Sequence, residues 1–203
     1  MSSTRAAILD ACWRLLDAGR APLAMDDVAA GAGVSRQAVY LHFKSKAELV
    51  VAVVEHAKKE IGLDEVRARI DGARTGEAAL AALIDAHVEL TPKLLRASRA
   101  IEAERARDPA LEAAWQERES SRLSLVRRVV DRLVEERRLA RGWSAGDAAD
   151  LLWALTAAPI TEDLLTRRRW SGDALRRRLD GLVRATILCP THVPNPKKRE
   201  KKT

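Results

Sequence analysis

The sequence has little cysteine, few aromatic residues and no long uninterrupted apolar run. It contains two cysteines among 203 residues. Both Cys12 and Cys189 lie in apolar helical contexts, so we expect no disulfide framework. No segment approaches the roughly 20 apolar residues of a membrane-spanning helix, and the polar N-terminus lacks the apolar core of a signal peptide. These absences predict a cytoplasmic protein without a membrane partner.

Glycine and proline are also sparse, with ten and seven residues respectively, and no segment shows a convincing strand pattern. Alanine, leucine, arginine and glutamate dominate, and apolar residues recur every three to four positions over long stretches. The sequence therefore predicts an all-α protein that is long enough to combine a small module with a larger one.

The excess of positive charge lies mainly at the C-terminus. The net charge is +7, which suits a polyanionic partner, but residues 1–58 hold seven basic and six acidic side chains. Residues 196–203 hold five basic residues and one acidic residue. With three prolines and no apolar stripe, residues 190–203 are expected to form a disordered basic tail. Net charge alone therefore does not locate a nucleic-acid-binding surface.

The N-terminal part of the sequence predicts three short helices. Apolar residues repeat at helical spacing over residues 4–18, and Gly19 marks the end of that helix. Residues 26–32 begin with two aspartates, which the positive end of a helix dipole favours. Gly33 then breaks the helix, and Ser35 is placed to cap the next one. Two short helices joined by a tight glycine-containing turn have the geometry of a helix-turn-helix.

Longer helices are predicted in the rest of the chain. Ser45 can cap a helix whose apolar stripe runs from Leu49 to Ile61, and Gly142 is expected to end a long helix over residues 110–138. Further helical patterns cover residues 77–90, the segment before Pro109, residues 145–168 with an interruption at Pro159, and residues 171–188. The leucine-rich faces of the last two helices are candidates for an oligomer interface.

Residues 8–53 resemble the N-terminal domain of the TetR family of transcriptional regulators. The matching segments are ILDACWRLLDAG, DDVAAGAGVS and AVYLHFKSKAELV, in the order and spacing of that family. Each piece alone is a weak signal, whereas their combination is a strong one. The sequence departs from the family at Ala24 and Met25, where threonine or serine usually caps the helix and contacts phosphate.

The resemblance implies a domain organisation and a function. We expect a helix-turn-helix DNA-binding domain over residues 1–48 and a larger antiparallel helical domain for effector binding and dimerisation over residues 49–189. The implied partners are palindromic double-stranded operator DNA, a second copy of the chain and an unknown small-molecule effector. The expected protein is a ligand-responsive homodimeric repressor that needs no cofactor, and activation instead of repression fits the same architecture.

The outward-facing residues of the second motif helix are the main candidates for DNA contact. Arg36 and Gln37 lie at its start, where side chains reach base edges, and their chemistry suits guanine and adenine respectively. Tyr40, His42 and Lys46 match family positions that contact phosphate. Lys46 also lies in the first turn of a helix, where free N–H groups attract anions.

The same segment also supplies its own scaffold. Ser35, the predicted N-cap, is included among the DNA-binding candidates. Ala30, Val34, Val39 and Phe43 are expected to form the inner face that anchors the motif to the scaffold helices. We interpret Phe43 as a core residue rather than a DNA contact.

The C-terminal part carries a weaker signal. His87, Trp115 and Trp153 are the candidates for an effector pocket, because aromatic and apolar walls with a few polar groups are typical of ligand sites. An ordinary core or interface position is the alternative for each of them. The arginine-rich residues 128–138 and 166–170 are interpreted as solvated helix faces with intrahelical ion pairs.

Two other functions stay open from the sequence. One is a helical small-molecule-binding or enzymatic bundle with a vestigial helix-turn-helix, against which the retained polar residues of the motif argue. The other is a non-specific nucleoid-type protein that binds through its basic tail, with steep salt dependence. No catalytic or metal site is expected, since the four histidines lack metal-ligand spacing and no phosphate-binding or dinucleotide-binding fingerprint occurs.

Overall fold

The computed structural model describes residues 3–20 and 23–190. Within these ranges every regular element is helical, and the only β contact is an isolated antiparallel bridge between Leu139 and Leu188. This confirms the all-α prediction. The predicted basic tail lies outside the described residues, apart from its first residue.

The helices, in chain order, are α1 (Thr4–Asp17), α2 (Met25–Ala32), α3 (Arg36–His42), α4 (Lys46–Glu60), α5 (Leu63–Asp71), α6 (Gly76–Arg105), α7 (Pro109–Glu135), α8 (Ala145–Leu155), α9 (Ala158–Glu162) and α10 (Gly172–Ile187). A π-helical turn (Asp163–Arg167) follows α9. None of the helices in the described part of the chain is long and apolar enough to cross a membrane.

Local capping sets the ends of the short N-terminal helices, as predicted. Gly33 ends α2 in the left-handed conformation with φ +67°, which a residue without a Cβ adopts at little cost. Ser35 Oγ accepts a hydrogen bond from the amide of Ala38 at 3.1 Å and so caps α3. Ser45 caps α4 in the same way, accepting from the amide of Glu48 at 3.1 Å. The turn between α2 and α3 is therefore specified by residues within it.

The first four helices enclose one core. Ile8 and Cys12 of α1, Val28 of α2 and Val39 of α3 are fully buried in it. Phe43, directly after α3, is also fully buried, which confirms that it is a core residue. Burial raises the pKa of the Cys12 thiol to about 12, so this cysteine stays protonated at neutral pH.

Ala30 is exposed, so its predicted place on the inner face of the motif is wrong. Helix α2 buries Met25, Val28 and Ala29, whose spacing of three and four residues defines one face of a helix. Ala30 lies one position beyond that face. Val34 is half-buried against the core, as predicted. Ala29 therefore has the role that we expected of Ala30.

The remaining helices form a second, larger core. Helix α6 packs against α5, α7, α9 and α10, and α7 packs against α8. Leu80 and Ile84 of α6, Val130 and Leu133 of α7 and Leu152 of α8 are almost completely buried between them. Helix α6 is thus the central element of the C-terminal part.

Two features of this part differ from the prediction. The sequence pattern does not predict α5, which is short and charged and buries only Val66 and Ile70. Helix α6 continues through Pro92 to Arg105 as one 30-residue helix, where the sequence predicts separate segments. Proline removes one backbone hydrogen bond, but α6 stays continuous because it packs against α1, α5, α7, α9 and α10. The interruption at Pro159 is confirmed, since this residue lies in the first turn of α9.

The arginine-rich end of α7 is solvated as predicted, since Arg128 and Arg137 are exposed. The expected intrahelical ion pairs are wrong, because the partners lie on other helices. Arg128 contacts both carboxylate oxygens of Asp71 on α5, with N···O distances of 3.1 and 3.2 Å. Arg138 and Arg184 both bind Glu77 at the start of α6, each at 2.6 Å. The partners come from other helices, which a pattern within one helix does not reveal.

The two cores meet where α6 and α7 reach the N-terminal helices. Ile101 of α6 and Leu111 of α7 are buried within the N-terminal core, and Trp115 of α7 packs against it. Val53 of α4 belongs to the same core, which therefore extends past residue 48. The division of the chain at that residue stays a proposal.

Candidate nucleic-acid interface and ligand cavity

Helix α3 presents polar side chains to solvent. Arg36, Gln37, Tyr40 and His42 are exposed, whereas Val39 on the opposite face is fully buried. The burial of Val39 determines which face of α3 turns outward. The four candidates are therefore all accessible on the solvent-exposed surface of α3, which the N-terminal core holds from behind.

Arg36 has two neighbours on this surface. Its Nη1 lies 3.0 and 3.2 Å from the carboxylate oxygens of Asp26, in the first turn of α2. Its guanidinium carbon lies 5.7 Å from the centre of the Tyr40 ring. Both members of the ion pair are more than half exposed, and such pairs contribute only about 0–1 kcal/mol. Asp26 and Tyr40 therefore orient the side chain of Arg36, yet a stronger hydrogen-bond acceptor can replace Asp26.

The N-terminus of α4 follows this surface directly. Glu48 Oε2 accepts a hydrogen bond from the amide of Lys44 at 2.7 Å, which adds to the cap that Ser45 provides. Lys46 lies in the first turn of α4 and is half-buried. Its amino group is therefore presented from a well-defined part of the backbone.

Ser35 has mainly a structural role, and Ala24 and Met25 form the start of α2. The side chain of Ser35 caps α3, so a contact between this residue and DNA remains a prediction. Helix α2 begins after Ala24 without a side-chain cap, and Met25 is buried. The departure from the family pattern at these two positions thus leaves the start of α2 without a hydroxyl group.

A cavity of about 590 Å³ lies between α4, α5, α6, α7, α8 and α9. His87, Trp115 and Trp153 all line it, although they come from three helices far apart in the sequence. The remaining wall is largely apolar, and small-molecule sites have volumes of about 300–1,000 Å³. The three pocket candidates therefore surround a space that a small molecule can fill.

His87 is held on both sides of its ring by threonines. Its Nε2 lies 2.5 Å from Oγ1 of Thr161, and its Nδ1 lies 3.0 Å from Oγ1 of Thr91. Burial, with a smaller effect from the charge of Arg122, lowers the pKa of His87 from its usual 6.5 to about 4. His87 is therefore neutral at pH 7, with one ring nitrogen donating and the other accepting a hydrogen bond.

Residues 8–53 match the model of a family described as bacterial regulatory proteins, tetR family. This segment runs from α1 into α4 and contains the whole exposed surface of α3. This segment is a tetR-family DNA-binding domain. The chain is accordingly a DNA-binding transcriptional regulator. No curated protein sequence matches it.

Solved structures share the fold of this chain over nearly its whole length. A putative transcriptional regulator from Saccharomonospora viridis, in complex with choline, has a TM-score of 0.79 and 19% identity, covering 93% of this chain and 100% of that one. A putative TetR-family regulator from Mesorhizobium loti has a TM-score of 0.68 and 28% identity, covering 90% and 94%. FadR from Bacillus subtilis, in complex with stearoyl-CoA, has a TM-score of 0.71 and 18% identity, covering 90% and 98%. The fold beyond residue 53 is therefore also shared.

Several charged residues of the cavity wall are not predicted from the sequence, among them Arg118, Glu119 and Arg122. A signal was present, because these positions follow Trp115 by three, four and seven residues and so lie on its face of α7. Sequence alone does not reveal which face of a charged helix turns inward. For the same reason Asp26 is not predicted as the partner of Arg36.

Replacing Lys46 with alanine is expected to weaken the binding of the protein to all DNA sequences alike. A lysine that contacts phosphate contributes charge but reads no base, so the slope of log K against log[salt] should fall by about 1. Salt titrations of the wild type and variant on two unrelated duplexes measure this. A loss confined to one sequence would contradict the assigned role.

The regulator should lose stability at mildly acidic pH through His87. Unfolded histidine binds a proton below pH 6.5, whereas folded His87 does so only below about 4. Above pH 6.5, the free energy of unfolding therefore does not change with pH through His87. It falls as the pH drops from 6.5 to about 4, by about 3 kcal/mol in total. Urea unfolding across this range, compared with His87→Gln, measures the effect. Equal pH dependence in both proteins would contradict it.

Proposed function

We propose that the protein is a homodimeric, ligand-responsive repressor that binds palindromic operator DNA. The observation that carries this proposal is the exposed polar set on α3, Arg36, Gln37, Tyr40 and His42, mounted on a buried scaffold within the segment that matches the tetR family. In this proposal the protein is not an enzyme, acts in the cytoplasm and needs no cofactor.

DNA binding would place α3 in the major groove. Arg36 would exchange the exposed carboxylate of Asp26 for the O6 and N7 acceptors of guanine, and Gln37 would read a neighbouring adenine. The exchange is favourable because the exposed ion pair contributes little, whereas a bidentate contact to guanine contributes about 1–3 kcal/mol of discrimination. Tyr40, His42 and Lys46 would contact phosphates and set the register.

Two copies of the chain would read two halves of a symmetric site. A two-fold dimer places its recognition helices in a palindrome. Ile160 on α9 and Leu182 on α10 are large apolar side chains that remain exposed. Their position supports a dimer interface on the C-terminal helices.

The cavity would hold the effector, and the junction between the two cores would transmit its presence. Trp115 lines the cavity and also packs against the N-terminal core. Ile101 lines the same cavity and is buried in that core. A ligand that displaces these side chains would shift α4 and the DNA-binding helices, and with them the spacing of the two recognition surfaces. The ligands of the similar S. viridis and B. subtilis proteins, choline and stearoyl-CoA, support a small-molecule effector here.

Selection from a pool of random duplexes tests the proposal. We expect the full chain to enrich a palindrome whose half-site centres lie about one helical turn, or a multiple of it, apart. Analytical ultracentrifugation of the recovered duplex should find chains bound in pairs. Failure to enrich any sequence would contradict specific DNA binding, and a single chain on an asymmetric site would contradict the dimer.

A further inference from the structure

Three charged side chains of α7 lie together in the cavity, and we call them the arginine cluster: Arg118, Glu119 and Arg122. Arg118 Nη1 donates to Glu119 Oε1 at 3.0 Å, and Arg122 Nη2 donates to Glu119 Oε2 at 3.0 Å. The three side chains are only 21–23% exposed. One carboxylate thus serves two guanidinium groups, and the cluster carries one excess positive charge.

The other carboxylates of the cavity wall balance this charge only in part. Glu162 is paired with Arg99, and Glu102 acts on Arg118 from a position exposed to solvent. Burial and the charge of Arg122 lower the pKa of Arg118, although the charges of Glu119 and Glu102 act in the opposite direction. Since an arginine keeps its proton in proteins, the cost of desolvating its charge stays in the folded state. An anion entering the cavity would offset that cost.

The two arginines of the cluster are held differently. Arg122 Nη1 donates to the carbonyl oxygens of Trp153 at 2.8 Å and of Thr156 at 3.3 Å, near the end of α8. Arg118 makes a single hydrogen bond to the residues that the structure describes, the one to Glu119. Arg122 is therefore fixed to the scaffold, whereas Arg118 has N–H groups left for a ligand.

A second donor lies on the same wall. Trp153 lines the cavity, and its Nε1 is buried without a hydrogen-bond acceptor among residues 3–20 and 23–190. A buried N–H group without an acceptor is costly. A ligand with acceptor oxygens would satisfy it.

The cavity is poorly suited to a quaternary ammonium or another organic cation. Such ligands need open aromatic faces, but guanidinium carbons of Arg105 and Arg118 lie 4.9 and 5.0 Å from the centre of the Trp115 ring. Arg122 lies 4.5 Å from the centre of the Trp153 ring. The aromatic rings are thus already contacted by cations of the protein itself.

We propose that the ligand is an amphipathic carboxylate, whose head group binds Arg118 and whose hydrocarbon body lies against the apolar wall. The wall that receives the body includes Leu83, Leu90, Leu94, Leu125 and Val126. A planar guanidinium matches the two oxygens of a carboxylate. This inference specifies the effector class and rests on the ligand-responsive function proposed above.

Three probes with the same twelve-carbon chain test the proposal: laurate, dodecanol and dodecyltrimethylammonium. Each is titrated into the full chain by calorimetry, below the concentration at which it forms micelles. We expect laurate to bind about 10- to 100-fold more tightly than dodecanol, the range given by a hydrogen bond to a charged group, and the cation to bind most weakly. Equal binding of laurate and dodecanol, or tighter binding of the cation, would overturn the proposal.

Variants of the arginine cluster identify the head-group site. Arg118→Met should reduce laurate affinity to that of dodecanol and leave dodecanol affinity unchanged. Glu119→Gln should tighten laurate binding, because it removes the carboxylate that competes for Arg118. Arg127→Gln, an exposed position of the same helix, is the matched control and should bind all three probes like the wild type. Weaker laurate binding by Glu119→Gln, with circular dichroism confirming its fold, would overturn the proposal even where Arg118→Met does not fold.

The same titrations separate this inference from the proposed function. Laurate that binds through Arg118 without changing DNA affinity would support the ligand class and contradict the coupling to DNA. Specific DNA binding that dodecanol releases as well as laurate does would support the repressor and overturn the ligand class.

Discussion

Replacing Phe43 with alanine is expected to lower the free energy of unfolding by about 3–5 kcal/mol, the usual cost of removing a buried aromatic ring. Phe43 has no exposed surface and lies directly after α3 in the core that supports the DNA-facing helix. The space left by the missing ring would also loosen α3. Specific DNA binding should therefore be lost in proportion to the unfolded fraction of the variant. Urea unfolding followed by circular dichroism measures the change in stability.

Leu41 is the matched control for this substitution, since it lies two residues earlier and is 80% exposed. Leu41→Ala should change the free energy of unfolding by less than about 0.5 kcal/mol. Equal destabilisation by both substitutions would contradict the described orientation of α3, in which Phe43 faces the core and Leu41 faces solvent.

Arg36→Ala and Gln37→Ala should each relax discrimination at one base pair of the operator by about 1–3 kcal/mol. Both side chains are exposed on α3, and the ion-pair partner that Arg36 would give up is an exposed carboxylate. The measurement is the affinity for the operator and for duplexes with single base-pair changes. In each variant, the affinity should no longer depend on the base pair at one position of the operator.

Lys46→Ala is the control for the Arg36 variant, because both remove one positive charge from the same module. The lysine variant should lose affinity uniformly, whereas the arginine variant should lose it selectively. If Arg36→Ala weakened all duplexes equally, its role would be contact with phosphate, and the base readout would lie elsewhere on α3.

The parts of the fold that sequence predicts well are those whose cause is local. Gly33, Ser35 and Ser45 end or begin helices through their own backbone freedom or side-chain oxygens, so neighbouring residues suffice to predict them. Phe43 can be assigned to the core for a similar reason, because it follows Val39 by four residues, directly after α3.

The parts that sequence does not predict depend on partners distant in the chain. The short helix α5 is stabilised by packing against α6 and α7 rather than by its own charged sequence. Arg128 donates a hydrogen bond to Asp71 on another helix. The side chain of Arg118 points into a cavity that six helices form together, which the sequence of α7 alone does not reveal. At Ala30 the error is only one position, since the start of α2 determines its buried face.

The central claim is sequence-specific DNA binding through α3, and the most direct test compares the operator with a scrambled duplex of the same length. Affinities are measured for the full chain over a range of salt concentrations. The account predicts a preference of about a thousandfold or more for the operator at physiological salt, and Arg36→Ala should reduce it. Equal affinities for the two duplexes, with the same steep salt dependence, would contradict it and would identify a non-specific polyanion-binding protein.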